Sequence, residues 1–175
     1  MFSFYAPDGK EITSLRGEVL DALEKLVLLA HSRGVTLCHE NEKGIYGDVA
    51  KRCLEIHKAI PEIKAVFDPA NFVQCGEDTK ECFDALKPYI EYMHIKDAIA
   101  ETGKVVPAGK GDGKIEEILR DLYKNGYDGY LSLEPHLFRY VVPEDASALV
   151  KSFETDKEQK YAVAYESLIE VLDRL

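Results

Sequence analysis

Apolar residues in this chain recur with two alternating periods. Short runs that are apolar in the middle, each about one strand long, occupy residues 35–40, 63–68, 91–97 and 129–134. Each run is followed by a stretch whose apolar residues return every three or four positions, the signature of a helix with one buried face. Before the first run, a helix is predicted from Thr13/Ser14 to about Ser32, with Leu15, Val19, Leu23, Leu26, Val27 and Ala30 on one side and Gly34 just past its end. Further helices are predicted over residues 48–60 (Val49, Cys53, Ile56, Ile60), 78–87 (Cys82, Phe83, Leu86), 115–124 and 157–174. Asn125-Gly126 stops the third of these, and the last places Tyr161, Tyr165, Leu168, Leu172 and Leu175 at helical spacing for packing. Residues 1–5 read as the end of another strand. Short apolar strands alternating with amphipathic helices predict a parallel sheet with helices outside it, in one domain spanning residues 1–175.

Composition narrows the function classes. A formal net charge of −10, spread along the helical segments, opposes a nucleic-acid backbone as partner. No apolar run reaches the length of a membrane helix, and the N-terminus has no signal-peptide pattern. Cys38, Cys53, Cys75 and Cys82 form neither a CxxC pair nor a zinc-finger spacing, so they are expected to be reduced thiols of a cytoplasmic protein.

The ends of the four apolar runs carry the candidate chemistry. They deliver Glu40, Asp68, His94 and Glu134, with Asn41, Lys96, Asp97 and His136 close behind. Taken singly, each has an ordinary structural explanation: a turn former before Pro69, a strand-end carboxylate, a half-buried histidine. Parallel strands in a βα alternation, however, point their C-terminal ends the same way, so the four side chains are expected to converge on one rim. Three carboxylates brought together without a cation repel one another, and a divalent ion removes that conflict. Three oxygens and one imidazole suit Mn²⁺, Mg²⁺, Co²⁺ or Zn²⁺ alike. The glycine-rich stretch 103–113 lacks the spacing of a phosphate-binding loop, and is expected to close over a ligand with Lys110 reaching inward.

The segments His39-Glu40-Asn41, Phe67-Asp68-Pro69-Ala70-Asn71, His94-Ile95-Lys96-Asp97, Val106-Pro107-Ala108-Gly109 and Ser132-Leu133-Glu134-Pro135-His136 together resemble the sugar phosphate isomerase/epimerase family of xylose isomerase-like TIM barrels. The resemblance implies that Glu40, Asp68, His94 and Glu134 hold one divalent metal, and that Glu40 and Glu134 also serve as acid and base. It implies a small-molecule sugar or sugar phosphate as substrate, contacted by Asn71, Lys96, Lys110 and His136. Epimerases of that family carry a histidine where this chain has Asn71.

Family members run to a full (β/α)8 barrel of about 250 residues, whereas the resembling segments fit the second half of it. The expected architecture is therefore α/β: a partial barrel of about five parallel strands, the fourth to the eighth, with outer helices. Its open edges and apolar interior predict a homodimer or higher homo-oligomer. The expected activity is metal-dependent isomerisation or epimerisation through an enediolate. The alternatives are a truncated, non-catalytic family member that folds and oligomerises, an inosose dehydratase-like enzyme, and an apurinic-site endonuclease-like enzyme.

Overall fold

A computed structural model describes residues 4–175 of the chain. Its centre is a four-stranded parallel sheet formed by β1 (Cys38–Glu40), β2 (Lys64–Phe67), β3 (Ile90–Ile95) and β6 (Leu131–Leu133), in that spatial order. The register sets Glu40 beside Val66, Phe67 beside Met93, and His94 beside Ser132, so the C-terminal ends of the four strands lie level. A second, two-stranded antiparallel sheet pairs β4 (Asp97–Ala98) with β5 (Val105–Val106).

Helices fill the connections: α1 (Arg16–His31), α2 (Ala50–Ala59), α3 (Pro69–Gln74), α4 (Thr79–Leu86), α5 (Ile115–Lys124), α6 (Ala148–Lys151) and α7 (Asp156–Leu172). Local chemistry sets where several of them begin. Asp78 caps α4 by accepting from the Lys80 and Glu81 N–H groups, and Thr155 and Glu158 form a reciprocal capping box on α7. Asp68 caps α3 by accepting from Asn71 N, with Pro69 in the first helical turn, where its missing N–H costs nothing.

The largest core cluster joins Phe67, Met93 and Ile95 of the sheet to Phe72, Phe83, Leu86, Ile118, Leu119, Leu122, Leu168 and Val171 of the helices. A second gathers Leu15, Val19, Leu23 and Val27 against Tyr46, Ile56, Ile60 and Ile63. Phe67, Phe72 and Phe83 are tilted or edge-on to one another at centroid separations of 5.1 and 5.8 Å, the arrangement favoured by ring quadrupoles.

The strand count is corrected by this architecture. In place of about five sequential parallel strands there are six strands and seven α-helices among the described residues, four strands parallel and two antiparallel. Residues 1–3 of the expected first strand lie outside the described residues, and Tyr5 makes an isolated antiparallel bridge to Ile45 instead of joining the sheet. The stretch expected as a glycine-rich loop contains β5, which turns back onto β4.

The last helix also differs from its expected face. Tyr161 and Tyr165 are about half exposed, while Ala162, Val163, Ala164, Leu168 and Val171 are buried. Small residues let this helix approach Leu137 and Val150, and the tyrosine stripe is turned outward as a result. Phe83 is fully buried in the largest cluster, and its replacement is the sharpest test of this packing. Phe83→Ala is expected to lower stability by about 3–5 kcal/mol, read as a lower midpoint in urea denaturation at unchanged slope.

Candidate metal centre

Each central strand carries a titratable side chain at or just beyond its C-terminal end. Glu40 ends β1, Asp68 follows β2, His94 is the penultimate residue of β3, and Glu134 follows β6. One ligand atom from each lies within 4.8 Å of the others, close enough to share a metal ion. Asp68 is fully buried and Glu40 nearly so, while His94 and Glu134 are half-buried. His94 Nδ1 is 3.0 Å from Glu40 Oε1, 3.7 Å from Glu134 Oε2 and 4.0 Å from Asp68 Oδ2.

Lys96, itself buried, places its Nζ 2.7 Å from Asp68 Oδ2 and 2.5 Å from Glu134 Oε2. The buried Oδ2 of Asp68 is thus matched by the Lys96 ammonium, which it shares with Glu134. A buried carboxylate beside an imidazole and two further carboxylates, their ligand atoms within 4.8 Å of one another, fits a divalent cation.

The electrostatics show the same demand for positive charge. Burial pushes the Asp68 carboxyl up to about 7, against the pull of Lys96 and the Asn71 N–H. Burial opposes the charged form of His94, but Glu40, Glu134 and Asp68 outweigh it and raise its pKa. Lys96 follows the same pattern: desolvation disfavours its ammonium, and Asp68 and Glu134 more than restore it. For Glu134, burial is outweighed by Lys96, His94 and His136, which hold its carboxyl below the usual range.

The supporting contacts are equally specific. Asn41 Oδ1 accepts from Asp68 N and Asn41 Nδ2 donates to Asp68 O, both at 2.9 Å, tying the end of β1 to the end of β2. Asn71 Nδ2 donates to Asn41 O at 2.9 Å, while Asn71 Oδ1 is buried without a partner among the described residues. His39 packs behind the site: an added Cβ at Gly47 would lie 2.4 Å from its Cε1. Burial, then the neighbouring His57, lowers its pKa to about 3, so this imidazole is neutral.

The structure brings Glu40, Asp68, His94, Glu134 and Lys96 together and sets Asn71 against Asn41 at their edge. His136 stands farther out, with Nε2 3.9 Å from Glu134 Oε1. Lys110 is not gathered in; it is exposed and its Nζ lies 3.5 Å from Glu170. The supporting roles of His39 and Asn41 depend on contacts between distant segments, which no local pattern announces.

Asp97 occupies a different place from its neighbours in sequence. It is fully buried, and its two oxygens accept from the N–H groups of Ala98, Gly109, Gly111 and Gly113 at 2.8–3.0 Å. A Cβ at Gly111 would come within 2.5 Å of both Ala98 O and Asp97 Oδ1, so the backbone approach requires glycine there. Burial pushes the Asp97 carboxyl up and these N–H groups oppose it. Asp97→Asn turns an NH₂ toward N–H donors and leaves some of them unpaired. A loss of about 2–3 kcal/mol is expected, measured by urea denaturation.

The comparisons with known proteins agree with this geometry. A family profile described as "Xylose isomerase-like TIM barrel" matches residues 3–173. That span corrects the expectation that the resemblance covers the C-terminal half of a barrel only, since nearly the whole chain is matched. The chain is similar to the inosose dehydratase of Clostridium perfringens, 25% identical over 133 residues that cover 65% of this chain and 45% of that protein. In structure it is similar to the 3-keto-D-glucoside 4-epimerase of E. coli, with TM-score 0.66, 15% identity, and 99% of this chain and 60% of that one covered. It is also similar to an IOLI protein with a bound zinc atom, with TM-score 0.71, 16% identity, and coverage of 98% and 61%. The chain thus spans about half the length of the relatives it matches. By the profile match across residues 3–173, and with a parallel sheet presenting its polar groups at the strand ends, the chain belongs to the xylose isomerase-like TIM barrel family.

Proposed function

We propose that this chain is a divalent-metal-dependent isomerase or epimerase of a sugar or sugar phosphate. Glu40, Asp68, His94 and Glu134 are its metal ligands, and Glu40 and Glu134 its acid and base. The observation that carries this reading is the convergence of those four ligand atoms within 4.8 Å at the ends of four parallel strands. The ligand set suits Mn²⁺, Mg²⁺, Co²⁺ and Zn²⁺, and one structural relative holds zinc. When bound, such an ion would polarise neighbouring carbonyl and hydroxyl oxygens of a sugar and acidify the hydrogen on the hydroxyl-bearing carbon next to the carbonyl.

The chain's own groups move the proton. β1 and β6 are the two outer strands of the sheet, so a carboxylate stands at each end of the row of ligands. Glu134, kept ionised by Lys96, is poised to accept the carbon-bound proton, and Glu40 to take part in returning one. Return to the adjacent carbon isomerises the sugar, and return to the same carbon from the other face epimerises it. The Lys96 ammonium and the unpartnered Asn71 Oδ1 supply a donor and an acceptor for substrate hydroxyls, and His136 an imidazole at the rim. Loss of a β-hydroxyl after the same proton abstraction is dehydration. The similarity to an inosose dehydratase favours this as the second reading.

Assembly and location belong to the same proposal. β1 and β6 have no further strand neighbour among the described residues, and Leu28, Val35, Tyr130 and Val141 are exposed. Open edges and exposed apolar side chains are covered most economically by a second copy, as a homodimer or higher homo-oligomer. Cys53, Cys75 and Cys82 are reduced thiols, as in a reducing cytoplasm, and among the described residues no helix is long and apolar enough to cross a membrane.

Mn²⁺ calorimetry tests the centre: Asp68→Ala and His94→Ala are expected to weaken binding by about a hundred-fold or more, beyond the range of losses seen for outer-shell partners. Incubation with ketoses and ketose phosphates in D₂O tests the chemistry. Glu134→Gln is expected to slow deuterium incorporation by about 10²–10⁴-fold, and undiminished incorporation removes Glu134 from the mechanism. Product analysis separates epimerisation from dehydration. Sedimentation at micromolar concentration is expected to show a dimer or larger species, and a compact monomer refutes the assembly.

A further inference from the structure

A cleft of about 460 Å³ opens beside the metal centre, with Thr102, Lys104, His136, Phe138 and Arg139 among its walls. In a chain with 32 acidic and 22 basic residues, no acidic side chain lines it. Among the described residues neither the Lys104 nor the Arg139 side chain enters an ion pair, and both are exposed. Two uncompensated cations and an imidazole therefore share one concave surface, the arrangement that attracts an anion. A larger cleft of about 700 Å³ between α2 and α4 is lined by acids and lysines alike and carries none of the cluster residues.

Both walls are held in place. On one side, Gln74 Nε2 donates to Gly103 O at 2.7 Å, and Lys43 Nζ donates to Gln74 Oε1 at 2.7 Å. On the other, Lys160 Nζ donates to Phe138 O at 3.2 Å, and Phe138 N donates to His136 O at 2.8 Å. His136 adopts a left-handed backbone (φ 41°), a conformation uncommon for a residue with a side chain. Its ring stacks on Phe138 at 5.5 Å, and its Nε2 lies 3.9 Å from Glu134 Oε1. His136 thus belongs both to the cleft and to the border of the metal centre.

We propose that this cleft receives the anionic end of the substrate, a phosphate monoester or a carboxylate, held by Lys104, Arg139 and His136 while the reacting carbons lie at Glu134. The inference rests on the isomerase or epimerase reading and narrows its substrate to a charged sugar. Neutral sugars lose these contacts, so the cleft selects for charge and the metal centre for the carbonyl. Side-chain truncation of Lys104 and Arg139 leaves the fold intact, because the bonds that shape the walls use backbone groups and other side chains.

The test uses two-dimensional amide NMR of the protein, once with Mg²⁺ and once after EDTA treatment. The probes are inorganic phosphate, D-ribulose 5-phosphate, D-glucuronate and uncharged D-ribulose. Saturable shifts in residues 102–105 and 136–139 are expected with at least one anion in both conditions. The two phosphate probes against glucuronate tell which anion is preferred. Lys104→Ala/Arg139→Ala is expected to weaken that anion about ten-fold or more and to leave D-ribulose unchanged. The inference is overturned if no anion shifts these segments saturably, or if the double variant binds the anion as wild type does. Because the EDTA-treated protein reads the cleft without metal, its failure is distinguishable from failure of the metal centre, which shows as absent metal binding or turnover.

Discussion

Three carboxylates confined within a few ångströms form the constraint on which this structure turns. Two like charges about 4 Å apart in a partly screened protein site oppose each other by roughly 4 kcal/mol, and the cluster contains three such pairs among Glu40, Asp68 and Glu134. Such an arrangement persists only where the scaffold over-determines it and positive charge is at hand. Here the Lys96 ammonium touches two of the carboxylates and His94 faces all three. The raised pKa values of Asp68 and Lys96 are two views of one tension: burial disfavours every charge, and only pairing makes any of them tolerable.

The scaffold meets this constraint through parallel pairing. Level strand ends require matched register at the C-terminal ends of β1, β2, β3 and β6, beyond the shift at Ala65/Val66, and parallel strands in turn require helices to bring the chain back. Those helices cover the sheet with Phe72, Phe83, Ile118 and Leu168, so the apolar core and the polar cluster are consequences of one topology. The Asn41 amide bonded to both backbone groups of Asp68 closes the gap between two of the strand ends, where the ladder has already stopped.

How much of this was legible from residues alone follows from the range of the interactions. Glu40, Asp68, His94 and Glu134 could be read because each ends an apolar run, and the βα alternation supplies the direction. The antiparallel pairing of β4 with β5 could not, since two-residue strands leave no periodicity. Tyr161 and Tyr165 shared helical spacing with Leu168, yet the buried face of α7 was decided by how closely Ala162 and Ala164 allow a neighbour to approach. Asp97 announced a charged strand end, but its four N–H partners come from its immediate successor and from residues 12, 14 and 16 positions away. Lys110 lay in the right loop, and its contact with Glu170 draws it elsewhere.

The loop organised by Asp97 has a consequence for how such a protein changes over time. Its shape is written largely in main-chain groups, gathered by the Asp97 carboxylate and steadied by Asp112, Thr102 and Gln74. Side chains that take no part in these bonds, such as that of Lys104, are therefore decoupled from the scaffold. They form a mutable façade over a fixed frame, on which new substrate preferences can be tried without disturbing the reaction centre beneath.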